Sequence, residues 1–414
     1  MTSPHRSQFV SAYLLSAVNV LGYSILIPVL PFVVEDYGAP EWVYGLLLSV
    51  YSFCQFVGAT WLGKLSDAVG RKKVLLVSHF GTLCCWIIFG AAYFLPIEPH
   101  IVGLAFPLFV ILLARVVDGI TGGNSAVAEA FISDITSPEE KKTIFSTIGG
   151  VAGLGMIVGP GIGGFFASGS IGYLGTILFA ALISLGTLIF ISIYVRESLP
   201  AEQRKPQTGP PWWYNLNLPK RLRNLDEAPI VRRTLYIKML FSTLMSIYVS
   251  TIVLYVIDLF DLNERKLGFF MLMVGGFLAF NQMVVVKKMM ERWGTAQTLQ
   301  RGLLLATLGF VLITQTDSIW VYAGFYYLLN LGVAMCMPTL NTLLAEHGKP
   351  ETMGETMGIS NGIMSLSYTF VPIVAAYVYG QIGYPIYWGS AILAFLGSLA
   401  VLKMNQTLVP IPQA

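Results

Sequence analysis

Apolar residues come in long runs, separated by short polar stretches. A membrane span needs about 20 mostly apolar residues. Runs of about that length lie near 8–33, 43–63, 74–95, 102–132, 143–167, 173–195, 235–257, 267–287, 299–316, 320–344, 356–379 and 384–404. Twelve hydrophobic helices are therefore predicted, with the run at 102–132 too long for one crossing and projecting beyond it. The longest break, residues 197–233, holds seven Lys or Arg residues against four acids. It divides the chain into an N-terminal bundle over 1–196, a linker over 197–233 and a C-terminal bundle over 234–414.

Charge sets the expected orientation. With the N-terminus inside, all of the 25 Lys and Arg residues except Arg115, Arg265 and Lys266 fall in or beside cytoplasmic segments, as the positive-inside rule requires. The outer loops carry acids instead, among them Glu35, Asp36, Glu98 and Asp258. Both termini then lie in the cytoplasm. Composition agrees. Charged residues make up 11% of the 414-residue chain and hydrophobic residues 55%, against about 25% charged in a soluble protein. The net charge of +3 gives no sign of a nucleic-acid partner. Cys54, Cys84, Cys85 and Cys336 sit in apolar runs without disulfide or metal-ligand spacing. No phosphate loop, nucleophile triad, zinc spacing or dinucleotide fingerprint is present, so the sequence gives no catalytic residues, metal ligands or cofactor.

The halves echo each other. Gln55 in the second run precedes Gly70 by 15 residues, and Gln282 in the eighth precedes Gly294 by 12. Internal repeats of this kind mark many secondary transporters, with the substrate site at the midplane between repeats.

The turn after the second run reads Gly63-Lys64-Leu65-Ser66-Asp67-Ala68-Val69-Gly70-Arg71-Lys72-Lys73. It resembles the signature loop of the major facilitator superfamily. Pro28-Val29-Leu30-Pro31 is similar to the first-span pattern of twelve-span drug:proton antiporters. Arg115 with Gly119 resembles the fourth-span arginine motif, and Gly159-Pro160-Gly161-Ile162-Gly163-Gly164 resembles the fifth-span antiporter motif. Within the superfamily the nearest likeness is to tetracycline-efflux-like proteins. The resemblance implies an all-α fold of two pseudo-symmetric six-helix bundles, a monomer, and transport by alternating access. It also implies that Gly63, Asp67, Gly70, Arg71 and Asp134 form a cytoplasmic gate, and that the first, fourth, seventh and tenth spans line the cavity. Where those exporters carry aspartates, this chain has Asn19, Cys85 and Ala306, so any proton coupling uses other residues.

Physical reasons attach to these positions. Gly63 is small enough for close helix approach, and Asp67 is placed to accept helix N-terminal amides and to pair with Arg71. Pro160 removes a backbone donor among four glycines, which predicts a bend at Gly159, Pro160, Gly163 and Gly164. On one continuous helix Arg115, Asp118, Gly122, Ser125 and Glu129 share a face. Ionisable groups inside a span mark a pathway, so Asp118 or Glu129 is the expected proton carrier, tuned by Arg115. The alternative is a static Arg115–Asp118 pair with Glu129 in a wet mouth. Asn19, Tyr23, Ser125, Ser246, Asn330 and Asn341 are the polar cavity candidates, each equally suited to an interhelical hydrogen bond.

The functional expectation is a proton-coupled exporter of a small amphiphilic drug or metabolite, embedded in the lipid bilayer of a bacterial inner membrane. An uptake symporter for a nutrient or metallophore has the same fold and turn motif and stays open. So does a non-transporting receptor on a transporter fold.

Overall fold

A computed structural model describes residues 13–15, 17–18, 20–204, 217–349 and 352–405. Helices dominate. The described residues between 13 and 24 are helical, and Leu30–Asp36, Glu41–Val69, Arg71–Ala92, Phe106–Gly122, Ser125–Ile135, Pro138–Ala167 and Tyr173–Tyr194 follow. After the break come Leu218–Asn224, Pro229–Phe260, Glu264–Phe280, a π-helical segment Asn281–Val286, Lys287–Trp293, Thr295–Leu312, Ile319–His347, Met353–Ile382 and Ile386–Asn405. Nine of the described helices are long and apolar enough to cross a membrane. Thr295–Leu312, which carries Gln297, Gln300 and Arg301, is not among them.

The structure departs from the sequence reading at the fourth run. It opens with a two-stranded hairpin, His100–Ile101 against Leu104–Ala105, where an all-helical chain was expected. The helix then breaks after Gly122, because Gly122-Gly123-Asn124 is poor helix material and the Asn124 side chain donates to Ser78 Oγ at 3.0 Å.

Two compact units emerge from the packing. The described residues up to 204 cluster with Leu262–Met273, and the described residues from 217 to Asp261 cluster with those from Val274 onward. In the first unit, glycines let backbones close on one another. A Cβ on Gly58 would overlap the Ile120 carbonyl, and one on Gly123 would overlap the Gly58–Ala59 backbone. Those contacts lock Glu41–Val69 against Phe106–Gly122. Helix Pro138–Ala167 continues through Pro160, and Gly159 and Gly163 sit against the backbone near Ser24 and Ile25. The Ser24 hydroxyl donates to the Gly155 carbonyl at 3.0 Å.

Gly70 and Gly294 do the same job in the two units. Each has a positive φ, +105° and +78°. Each donates its amide four residues back, to Ser66 and Met290, and opens the next helix at once. The repeat suggested by sequence spacing is therefore a repeat of turn geometry, available to glycine at little cost.

In the second unit the end of the linker is docked. Leu218, Leu222 and Leu225 pack with Leu344, Ile359 and Ile363. The buried Glu227 carboxylate accepts from Thr352 Oγ1 at 2.6 Å, Thr356 Oγ1 at 3.0 Å and the Lys349 amide at 3.2 Å. Asp226 meets Lys349 Nζ at 2.7 Å. Burial acts to raise the Glu227 carboxyl, but the hydrogen bonds from Thr352, the Lys349 amide and Thr356 outweigh it and hold the group below the ordinary glutamate range.

Two predictions follow from this packing. Gly163→Val is expected to cost about 1–3 kcal/mol by overpacking, while Gly186→Ala, whose Cβ meets open space, leaves the melting temperature unchanged. Thermal unfolding of the purified protein in detergent reads both. The depressed Glu227 pKa contributes stability above the unfolded glutamate value of about 4.3, and that stability is lost as pH falls through the lower folded value. The melting-temperature gap between wild type and Glu227→Gln is thus expected to be open at pH 7 and to narrow towards pH 4.

Candidate functional site

The first unit encloses a cavity of about 300 Å³. Its wall is mostly apolar, with Tyr23, Tyr51, Gln55, Asp118, Gly122 and Ser125 among the polar and small positions. Tyr23 and Tyr51 stack with ring centroids 5.3 Å apart. Gln55 Nε2 donates to the Tyr51 hydroxyl of its own helix at 3.2 Å and to the Gly122 carbonyl at 3.5 Å, so it links two helices at the cavity wall.

Asp118 is the one carboxylate in this wall. Arg115 Nη1 lies 3.0 Å from Asp118 Oδ2, and the two side chains are 2% and 9% exposed. The Arg115 guanidinium also stands 5.2 Å from the centre of the Tyr51 ring, a cation–π arrangement. Such a pair survives burial only because each partner neutralises the other.

The helix break after Gly122 splits the stripe that the sequence predicted. Arg115 and Asp118 are buried, Gly122 and Ser125 line the cavity, and Glu129 is exposed beyond it. Asn19 lies outside the described residues. Ser246 and Asn330 are buried. Ser246 donates to the Ser367 carbonyl of another helix at 3.1 Å, whereas Asn330 donates to the Tyr326 carbonyl of its own helix at 2.8 Å and accepts from the Tyr248 hydroxyl at 3.5 Å. A second cavity, about 150 Å³, is lined in the other unit by Ser242, Gln282, Met337 and Tyr368 among others. Gln55 and Gln282, paired by the repeat, each line a cavity of their own unit.

Asn341 leads to a residue the sequence reading passed over. Its Oδ1 accepts from Lys238 Nζ at 2.8 Å, and Ser360 Oγ is the other partner of that ammonium. Lys238 is 2% exposed, yet among the described residues it has no carboxylate partner within ion-pair distance. Its place at the start of an apolar run had suggested an ordinary flanking charge.

The Gly63–Lys73 turn forms a charge cluster around Arg71. Arg71 bonds Asp67 at 2.7 Å, Asp134 at 3.0 Å and Ser66 Oγ at 2.6 Å. Ser198 also donates to Asp134, at 3.0 Å. The amide of Arg71, at the helix N-terminus, donates to Glu197 Oε1 at 2.8 Å. Glu197, from the far end of the first unit, is thus the acceptor that sequence reasoning had assigned to Asp67. Nothing local could have revealed it, since 126 residues separate the partners. Glycine suits position 70 because its φ of +105° is strained for any residue with a Cβ. Gly63 is not required for close approach, since a Cβ there meets nothing within 4 Å. Gly164 packs on the backbone of Glu264 and Gly268, and Gly161 faces Leu272.

Long apolar helices, a buried ion pair beside a cavity and an arginine-centred turn define an integral, multi-pass membrane protein of the transporter type. The chain belongs to the major facilitator superfamily, whose family model matches residues 12–372. It is 24% identical to the class H tetracycline resistance protein of Pasteurella multocida over 398 residues, 93% of this chain and 92% of that one. It is 26% identical to the class B tetracycline resistance protein of Escherichia coli over 409 residues, 96% of each. Among solved structures, the human organic anion transporter MFSD10 matches with a TM-score of 0.69 at 23% identity, covering 97% of this chain and all of the other. Transport, with the lipid bilayer as surroundings and a small molecule as cargo, is the work of this family.

Breaking the ion pair on one side is expected to be costly. Asp118→Leu alone should lose about 3–5 kcal/mol by stranding Arg115, whereas Arg115→Met with Asp118→Leu should recover most of that loss. Thermal unfolding of the three proteins gives the comparison, and equal melting of the single and double variants would contradict a mutually dependent pair.

Proposed function

We propose that the protein is a proton-coupled antiporter that exports a small amphiphilic molecule by alternating access. Twelve membrane-spanning helices in two six-helix bundles, with both termini in the cytoplasm, is the topology this reading takes from the charge distribution. A monomer in a bacterial inner membrane is the setting it takes from the family.

The observation that carries the reading is Asp118. It is a carboxylate in the wall of a largely apolar cavity, held by a single arginine. Protonation removes the charge that Arg115 balances, so proton uptake and the state of the cavity are linked through one ion pair. An amphiphile suits the remaining wall. The Arg71 cluster with Asp67, Asp134 and Gly70 acts as the cytoplasmic gate, because it ties one turn to two distant segments and must part if that face opens. Gly159, Pro160, Gly163 and Gly164 shape the helix against which the first-span segment closes. Glu129, exposed and without an ion-pair partner among the described residues, serves as a relay at the mouth. The tetracycline-resistance relatives support export at the level of the family.

A second reading concerns the charge of the cargo. Lys238, buried and, among the described residues, bonded to Asn341 and Ser360 alone, favours an amphiphilic anion. The human relative described as an organic anion transporter supports the same class.

One experiment tests both. Proteoliposomes with an imposed pH gradient are given a panel of neutral, cationic and anionic amphiphiles, and proton movement is recorded. Antiport is expected as proton flow opposite to a transported compound, abolished in Asp118→Asn and retained, slowed, in Glu129→Gln. Co-directional flow would make the protein a symporter, and the absence of transport for every compound would favour the receptor reading. Loss of anionic cargo alone in Lys238→Gln would establish the second reading; unchanged cargo range would remove it.

A further inference from the structure

One edge of the first-unit cavity has hydrogen-bonding capacity that the described residues leave unused. His79 and Trp86 both line the cavity and are 2% and 1% exposed. His79 Nε2 and Trp86 Nε1 are buried without a hydrogen-bond partner among the described residues. Three other polar wall groups are engaged. Thr82 shares a hydrogen bond with Thr121 at 3.0 Å, Gln55 is bonded to Tyr51, and Asp118 to Arg115. A polar atom left unpaired in a dry site loses the water it had when exposed and gains nothing in return.

The two orphaned atoms are chemically complementary. The indole nitrogen of Trp86 is a donor only. His79 Nδ1 lies 3.1 Å from the Leu75 carbonyl, which is an acceptor only, so Nδ1 carries the proton and Nε2 is left as an acceptor. The Asn124 amide, 3.3 Å from the same Nδ1, has Ser78 Oγ as its own acceptor. His79 and Trp86 stand seven residues apart on helix Arg71–Ala92. Seven residues bring the chain back to the same face about 10 Å further along the axis.

The rest of the wall limits what fits between them. Tyr23, Tyr51 and Trp86 present flat aromatic surfaces. The single carboxylate, Asp118, is already neutralised by Arg115, so the wall offers no net charge to a charged ligand. A volume of about 300 Å³ lies at the lower end of small-molecule sites.

We propose that this cavity binds an uncharged, flat heteroaromatic molecule that donates a hydrogen bond to His79 Nε2 at one end and accepts one from Trp86 Nε1 at the other. The proposal rests on the export reading only in taking this cavity as the place where cargo sits. Trp86 and His79 are then specificity-determining residues: they select donor and acceptor at opposite ends of a bicycle, while the tyrosines select flatness. Helix Arg71–Ala92 lies outside the four spans that the sequence resemblance assigned to the cavity, so the site is displaced into the first unit's own interior.

The test uses 6-hydroxyquinoline, which has a hydroxyl donor and a ring-nitrogen acceptor at opposite ends. Its partners are 6-methoxyquinoline, without the donor, and 2-naphthol, without the acceptor. Binding to the full-length protein in lipid nanodiscs is measured by titration calorimetry, with no gradient present. Wild type is expected to prefer 6-hydroxyquinoline over each partner by about ten-fold, one hydrogen bond's worth. Trp86→Phe should erase the preference over 2-naphthol and keep that over 6-methoxyquinoline, and His79→Phe should do the reverse. Gel filtration and melting confirm that both variants fold. The proposal is overturned if wild type does not discriminate among the three compounds, or if either variant weakens all three equally. Retained discrimination without coupled transport would instead remove the export reading and leave the binding site standing.

Discussion

A charged pair deprived of water governs the first unit. Arg115 and Asp118 lie on one turn of helix Phe106–Gly122, both almost wholly buried, 3.0 Å apart. Neither is tolerable there alone. The surrounding structure is arranged to keep them together. Tyr51 covers the guanidinium with its ring, and Gln55 holds the Tyr51 hydroxyl. The glycine contacts between Glu41–Val69 and Phe106–Gly122 fix the distance at which that cover works. Close backbone approach is how helices associate where no hydrophobic effect drives them together. The glycines and the ion pair are thus parts of one arrangement: small residues bring the second helix close enough for its tyrosine and glutamine to shield the charges.

The second unit meets the same constraint with different chemistry. Its buried cation, Lys238, is held by a hydroxyl and an amide oxygen. Deeper in the same unit, Tyr248 donates to Tyr326 at 2.6 Å, Asn330 binds the Tyr326 carbonyl, and Tyr255 donates to the Ile313 carbonyl at 3.1 Å. Tyr248, Tyr326 and Asn330 thus satisfy one another between Pro229–Phe260 and Ile319–His347. The turn geometry at Gly70 and Gly294 is repeated, whereas the polar interiors are not. A repeated fold with unlike interiors gives one half a buried ion pair and the other a buried cation whose partners among the described residues are neutral.

What could be read from the sequence follows from range. The helices were legible because hydrophobic runs report burial directly, and the Gly63–Lys73 turn because its residues bond largely among themselves. The Arg115–Asp118 pair was legible for the same reason, being one turn apart. The break after Gly122 was hidden by the apolar residues on either side, so a stripe drawn on a straight helix carried Glu129 along with Asp118. Glu197 on the Arg71 amide and Lys238 beside Asn341 were out of reach, since each pairing joins residues more than a hundred positions apart. His79 and Trp86 were hidden differently. Both looked like packing residues, and their significance lies in bonds that they do not make, which only a three-dimensional account of every buried donor and acceptor exposes.

That last point bears on how this cavity works. In a water-filled site, unused donors and acceptors carry no meaning because solvent satisfies them. Here the wall is largely apolar and Asp118, its one charge among the described residues, is balanced by Arg115, so a nitrogen buried in that wall without a partner is costly. A ligand that completes both bonds removes that cost, and one that completes neither leaves it in place. Discrimination then arises from completing those hydrogen bonds as much as from apolar contact with the cargo. Apolar contact alone separates similar amphiphiles poorly, whereas a site with unmet hydrogen bonds rejects molecules that lack the matching groups. A transporter whose cavity is mostly hydrocarbon can therefore still be selective, provided a few buried polar atoms are left waiting.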